Sequence, residues 1–492
     1  MNASGGGRWQ LAALALALAL PCLASAAGMD FSPLGADPLG ASAAMARPGL
    51  LLPGETSPRP CGTGVAPGQP IGVVEAVDLA MCNNPQLRAA WAIVKQQAGA
   101  LGEARAAYLP TLSVNVNRLR TDTHTAGQAD TVTGNTLYGS LNWLIYDFGQ
   151  RAANEHAADS LLQAALASND AALQKNLADT IQAYFDVQSA RATWHARQIG
   201  ATTAAATLAS AQRRESNGVL ARSDRLQAAT ALARAQLDQN RADGNYRKAT
   251  ALLVYVMGLP PGSDPTLVED DEDDGEPALA MQLDRLEQWL HTAQQAHPAI
   301  RAARAEWAAA QSHTAAIRAE NKPSVALSGN VYTNGYPGQG ISATASQVRT
   351  VGITLNIPLF DGYAHRYKVQ GAEAQAEQKE QALTDTEHRI LTEVVKVHAD
   401  ATAALRNLQA SQTLMEAAQE SMRTYQRKYD RGASDIVEIL AAQTALADAR
   451  EQRIICVSEW RSARLRLMAD SGVLGGRSLL DSTLHTATSR PP

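Results

Sequence analysis

What this sequence has least of is charge, aromatic rings and cysteine. Charged residues make up 18% and aromatics 5% of 492 positions, both low for a soluble enzyme of that length. The net charge is −5, so no basic field is present to attract nucleic acid. Past the N-terminal region, no run approaches the roughly 20 consecutive apolar residues of a membrane-spanning helix. Proline is absent between Pro110 and Pro260 and between Pro358 and Pro491, which permits very long helices. The ten histidines are scattered. They form no HExxH, and His291 and His297 stand at a poor helical spacing for a metal pair. A phosphate-binding P-loop, a GxGxxG after a strand and a GxSxG elbow are all missing. These absences argue against an enzyme, and no cofactor or metal is expected.

The N-terminus reads as an export signal over residues 1–26. Arg8 supplies the positive end, residues 11–20 the short apolar core, and Ala24-Ser25-Ala26 a small-x-small cleavage site. Pro21 before Cys22 argues against a lipoprotein. Export implies an oxidising compartment. Cys61 and Cys82 flank a short segment and form the expected disulfide, leaving Cys456 over. Spacing alone does not establish bridge geometry, so three free thiols are the alternative.

The mature chain is a tandem repeat. TALARA at 230–235 returns as TALADA at 444–449, Gly218 as Gly432 and Asp147 as Asp361, each 214 residues on. Pro85 and Pro298, like Pro110 and Pro323, differ by 213. The expected organisation is an irregular segment over 27–71, a first repeat over 72–258, an acidic proline-containing linker over 259–287, a second repeat over 288–472 and a tail over 473–492. The run EDDEDDGE at 269–276 lacks EF-hand spacing and reads as solvated linker.

Each repeat reads as helix, strand, loop, strand, long helix, turn, helix. Residues 150–217 read as one helix, roughly 100 Å long at ~1.5 Å per residue. The spans 72–107 and 223–257 sum to nearly that length and can stack end to end along it. Strands read at 111–117 and 351–359 and around Leu141, Trp143 and Ile145, and Val325, Leu327 and Val331. All alternate apolar and polar residues, as in a membrane β-strand or in a half-buried soluble one. Tyr108, Tyr138, Trp143, Tyr146, Phe148, Tyr332, Phe360 and Tyr363 are candidates for interfacial girdles. The stretches 118–135 and 333–348 read as outer loops. Four strands cannot close a membrane barrel, and lipid does not tolerate open edges. Strands that cross a membrane here must therefore be shared between copies.

The duplicated plan, Pro85 and Pro298, the Tyr108-Leu109-Pro110 strand entry, the Asp147-Phe148-Gly149 and Phe360-Asp361-Gly362 strand exits and the glycines at 218 and 432 together resemble the TolC-like outer-membrane efflux proteins. The resemblance covers nearly the whole mature chain. It implies an α+β fold, in which a long all-antiparallel α-helical barrel joins a transmembrane β-barrel shared between chains. Each chain would give four strands from two tandem repeats. It further implies a homotrimer in the bacterial outer membrane, a helical tunnel in the periplasm, and work with a periplasmic adaptor and an ABC or proton-driven inner-membrane transporter. The cargo would be unfolded protein, as in type I secretion of repeat-in-toxin proteins, or small toxic compounds.

The resemblance also implies a periplasmic gate. Asp224 matches the family's acidic partner, Tyr429 its tyrosine and Glu438 its first constriction acid. The family's arginine falls on Ser434 and its second acid on Ala441, so both are missing. Read without the family, Asp224 and Asp435 follow Ser223 and Ser434 in helical first turns, where caps and acids stabilise helix ends. Tyr429 then reads as a packing residue. A soluble periplasmic coiled-coil adaptor and a partner-free porin are the competing functional readings.

Overall fold

The computed structural model describes residues 39, 70–125, 128–268, 285–334, 346–431, 433 and 435–472. The export signal, the acidic run at 269–276, Cys22, Cys61, Gly432, Ser434 and the tail from 473 lie outside the described residues, as does nearly all of 27–69.

The two repeats fold alike. The first runs α1 (Val73–Asn83), α2 (Pro85–Ala106), β1 (Thr111–Thr125), β2 (Gln128–Tyr146), α3 (Gln150–Ser216) and α4 (Arg222–Val256). The second runs α5 (Leu286–Ala296), α6 (Pro298–Glu320), β3 (Ser324–Thr333), β4 (Gln347–Asn356), α7 (Ala364–Asp430) and α8 (Ile436–Asp470). Helices α3 and α7 are both 67 residues long, and α4 and α8 are both 35. The constant spacing in the sequence is thus a duplication of structure. Among the described residues, no helix is long and apolar enough to cross a membrane.

The span 72–107, expected as one helix, is two. Asn84 and its counterpart His297 stand between the helices with ψ of 121° and 123°. The cause is the following proline, which pushes its predecessor out of the helical region yet is itself welcome as a first helical residue. Both break residues become caps. Asn84 Oδ1 accepts from the Gln86 N–H at 2.8 Å, and His297 Nδ1 from the Ala299 N–H at 3.1 Å. Asn84 Nδ2 also donates to the Val256 carbonyl at 3.1 Å, joining α2 to the end of α4. Gly258 makes that approach possible: at φ 69°, a Cβ there would sit 2.7 Å from the Asn83 carbonyl carbon.

The stacked pair α2 and α4 lines one side of α3, and α6 and α8 line the other. Helix α7 packs on α6 and α8, so α7 and the α2–α4 pair form the borders of the layer. The largest apolar core lies at the stacking joint, around Leu177, Ile181, Tyr184, Leu253 and Met257.

The strands form one antiparallel sheet in the order β1-β2-β3-β4. Its register sorts the faces. Leu112, Leu141, Gly329 and Val351 make one row, with Trp143, Leu327 and Ile353 beside it. Ser113, Ser140, Asn330 and Thr350 make a row on the opposite face. The apolar face is bare: Leu112 is 75% and Val351 82% exposed.

Two expectations need correction here. The β1–β2 ladder continues to Thr125 and Gln128, so much of 118–135 is paired ribbon instead of loop. Its many threonines are polar yet β-branched, and branching favours the strand. Tyr138 and Tyr332 do not sit with Trp143 on the apolar face. Strand parity puts them on the polar face, where their rings stack at 5.0 Å and the Tyr138 hydroxyl donates to Asn330 Oδ1 at 3.1 Å.

Candidate functional site

The turn from sheet to helix carries one buried ion pair. Phe148 and Gly149 have φ of 52° and 95°, which swings β2 into α3. Arg151, one turn on, donates from Nε to Asp147 Oδ2 at 2.9 Å, with both side chains 9% exposed. Its Nη1 donates to the Leu144 carbonyl at 2.6 Å and its Nη2 to the Ile145 carbonyl at 3.0 Å. The guanidinium also lies 4.7 Å from the Tyr108 ring centroid. One side chain therefore ties strand entry, strand exit and long helix together. In the second repeat, the counterpart of Arg151 is His365. There the exposed Asp361 carboxylate accepts the His365 backbone N–H at 2.7 Å and, among the described residues, no side-chain cation. The sequence reading missed Arg151, whose signal is a cation four residues beyond the duplicated aspartate.

The other end of the long helices holds the residues matched to a gate. Tyr429, in the last turn of α7, is 5% exposed. It packs with Ala211 of α3, Ala228 of α4, and Ile436 and Ile439 of α8. The structure thus gathers all four hairpin helices around this ring. The Arg214 guanidinium lies over it, 4.3 Å from the centroid. The Tyr429 hydroxyl is buried without a hydrogen-bond partner among the described residues.

Asp224 and Glu438 stand in the first turns of α4 and α8, where an acid favours the helix dipole. Asp224 is half-buried, and its carboxylate accepts the Ser223 hydroxyl at 3.1 Å. It makes no hydrogen bond to Tyr429. Glu438 is exposed. The caps differ from expectation. Ala221, not Ser223, precedes α4, and Asp435 itself caps α8 by accepting the Val437 N–H at 3.4 Å. Beside the cluster, Arg225 pairs with Glu215 at 2.6 Å and joins the two arms of the first hairpin.

Cys82 is disulfide-bonded, its partner lying outside the described residues, and Cys456 is a buried free thiol. Among the described residues, no group of His, Cys, Asp and Glu is placed to hold a metal.

The family model for the outer membrane efflux protein matches residues 76–259 and 289–473, one segment per repeat. The chain is 33% identical over 452 residues to protein CyaE of Bordetella pertussis, covering 89% of this chain and 92% of that one. The solved outer-membrane channel OprN aligns with a TM-score of 0.70 at 19% identity, over 82% of this chain and 90% of its own. The CmeC outer membrane channel of Campylobacter jejuni aligns with a TM-score of 0.70 at 15% identity, over 84% and 89%. These two likenesses speak to the fold, a helical barrel joined to a β-barrel. On the family model and the 33% relative together, the chain belongs to the outer membrane efflux protein family: a transport channel of the outer membrane, with its helical tunnel in the periplasm, and not an enzyme.

Proposed function

We propose that this chain is the exit duct of a tripartite export system, three copies forming one continuous channel. The observation that carries the reading is a four-stranded sheet, open at β1 and β4, bare on its apolar face and set on 67-residue helices. An open edge leaves backbone N–H and C=O groups unpaired, and hydrocarbon cannot satisfy them. Further copies must close the sheet, and three is the number that the resemblance to TolC-like proteins implies. The open borders of the helical layer suit the same closure.

A periplasmic adaptor and an inner-membrane transporter, ABC or proton-driven, complete the system and supply the energy. The cargo is unfolded polypeptide or small toxic compounds. Asp224, Tyr429 and Glu438 belong to the gated periplasmic end.

Cross-linking in intact membranes tests the assembly, with trimers expected. Deleting the gene tests the duty. Loss of an exported polypeptide from the medium marks protein secretion, and heightened sensitivity to toxic compounds marks efflux. Recovery of the chain in the soluble periplasm, or export and sensitivity both unchanged, would overturn the proposal.

A further inference from the structure

We infer that Arg214 latches the two hairpin tips of one chain together through the face of Tyr429. The inference rests on the reading of this end as the gate and adds a residue that neither the family match nor the sequence reading assigned.

Three observations carry it. First, the cluster under the ring is drawn from both hairpins, so the Arg214–Tyr429 contact spans the boundary between repeats. Second, the neighbouring acid Glu215 is taken by Arg225, which leaves the Arg214 cation to the ring. Third, the hydroxyl of Tyr429 is buried and has no hydrogen-bond partner among the described residues, so the aromatic face is the group that meets the cation. A partly buried cation over such a face is attracted by the ring quadrupole more strongly than in water.

The repeat offers no second copy of this contact. Lys428, the counterpart of Arg214, lies 5.4 Å from the Tyr425 ring on its own helix instead of over a ring of the other hairpin. Further from the tip, Gln443 donates to Thr207 Oγ1 at 2.9 Å, and Arg197 pairs with Asp448 at 3.3 Å. Among the described residues, the Arg214–Tyr429 contact lies nearer the tip than either of these. Hairpins that part from the tip break it before those two. The arrangement places the cation on the first repeat and the ring on the second, where the family resemblance puts both tyrosine and arginine on the second. Such a latch would need no arginine at position 434.

Purified channel in planar bilayers tests the latch. Each variant is first shown to assemble and to melt like the parent. R214Q and Y429L should raise the open-state population roughly threefold to thirtyfold. R214K, Y429F and K428Q should stay near the parent, because they keep the cation, the ring or the unrelated helix intact. Opening by Y429L alone would leave the gate standing and overturn the latch. Equal opening by R214K and R214Q would overturn it too. If R214Q, Y429L and I439A all conduct like the parent, the gate reading itself falls.

Discussion

His297 Nδ1 accepts a hydrogen bond from the backbone N–H of Ala299 at 3.1 Å, and this bond starts α6. It requires a neutral ring with a free lone pair. Burial, and then Arg389, lower the pKa from 6.5 to about 4. As pH falls through 6.5, the unfolded chain takes up a proton that the folded chain refuses until about 4. Stability is therefore lost across that window, by about 3 kcal/mol in all. Melting at pH 7.5 and 4.5 checks this. His297→Asn should flatten that part of the pH dependence, since Asn84 makes the same cap without titrating. Identical pH slopes for parent and variant would refute the assignment.

Arg151→Ala should be far more harmful than removing Asp361, the acid of the corresponding turn in the second repeat. It strands a buried Asp147 carboxylate and uncovers the Leu144 and Ile145 carbonyls. The expected loss is about 3–5 kcal/mol. Asp361→Ala removes one exposed acceptor and should cost about 1 kcal/mol. Denaturant melts of the two variants give the comparison, and equal losses would contradict it.

Asp470→Asn should stabilise the protein at neutral pH. Burial raises the Asp470 pKa, Arg466 opposes the rise, and Glu393 and Asp179 add to it. A folded pKa above the unfolded one means that the charged form is a net cost, relieved as pH falls through the folded value. The variant should melt higher at pH 7–8, and the difference should shrink on acidification. A lower melting temperature at neutral pH would show that the pairing with Arg466 outweighs burial.

Glu438→Ala should weaken cation selectivity or divalent block of the pore. Glu438 is exposed, and in the proposed trimer it would recur around the throat and concentrate negative potential there. Reversal potentials under a salt gradient read this directly, and an unchanged ion preference would remove Glu438 from the lumen.

Cys61 and Cys82 should both resist alkylation until reduced, since Cys82 is bonded. Cys61→Ser should make Cys82 reactive at once. A Cys82 that stays protected in that variant would point to a different partner.

Much of the architecture was legible because it is written locally. Two proline-free spans allowed two long helices, and both run 67 residues. Pro85 and Pro298 mark the breaks, although the span 72–107 reads as one helix in the sequence. Strand alternation identified the apolar face, since successive side chains must point to opposite sides. Polarity misplaced the outer ribbon, and aromatic content misplaced Tyr138 and Tyr332, because neither property carries parity or pairing.

The sequence by itself determined a duplicated chain with very long helices and four alternating strands too few to close a barrel, and the resemblance it carries singled out Tyr429 at the second tip. Only the tertiary structure decided what Tyr429 touches. The first repeat pairs Glu215 with Arg225, while the matching positions of the second hold Tyr429 and Ile439, an apolar contact that closes under Arg214. The 214-residue offset makes these positions equivalent in the sequence, yet one pair is ionic and the other apolar. A cation reaches a ring on a distant helix only when packing sets the helices side by side, and no local pattern encodes that distance.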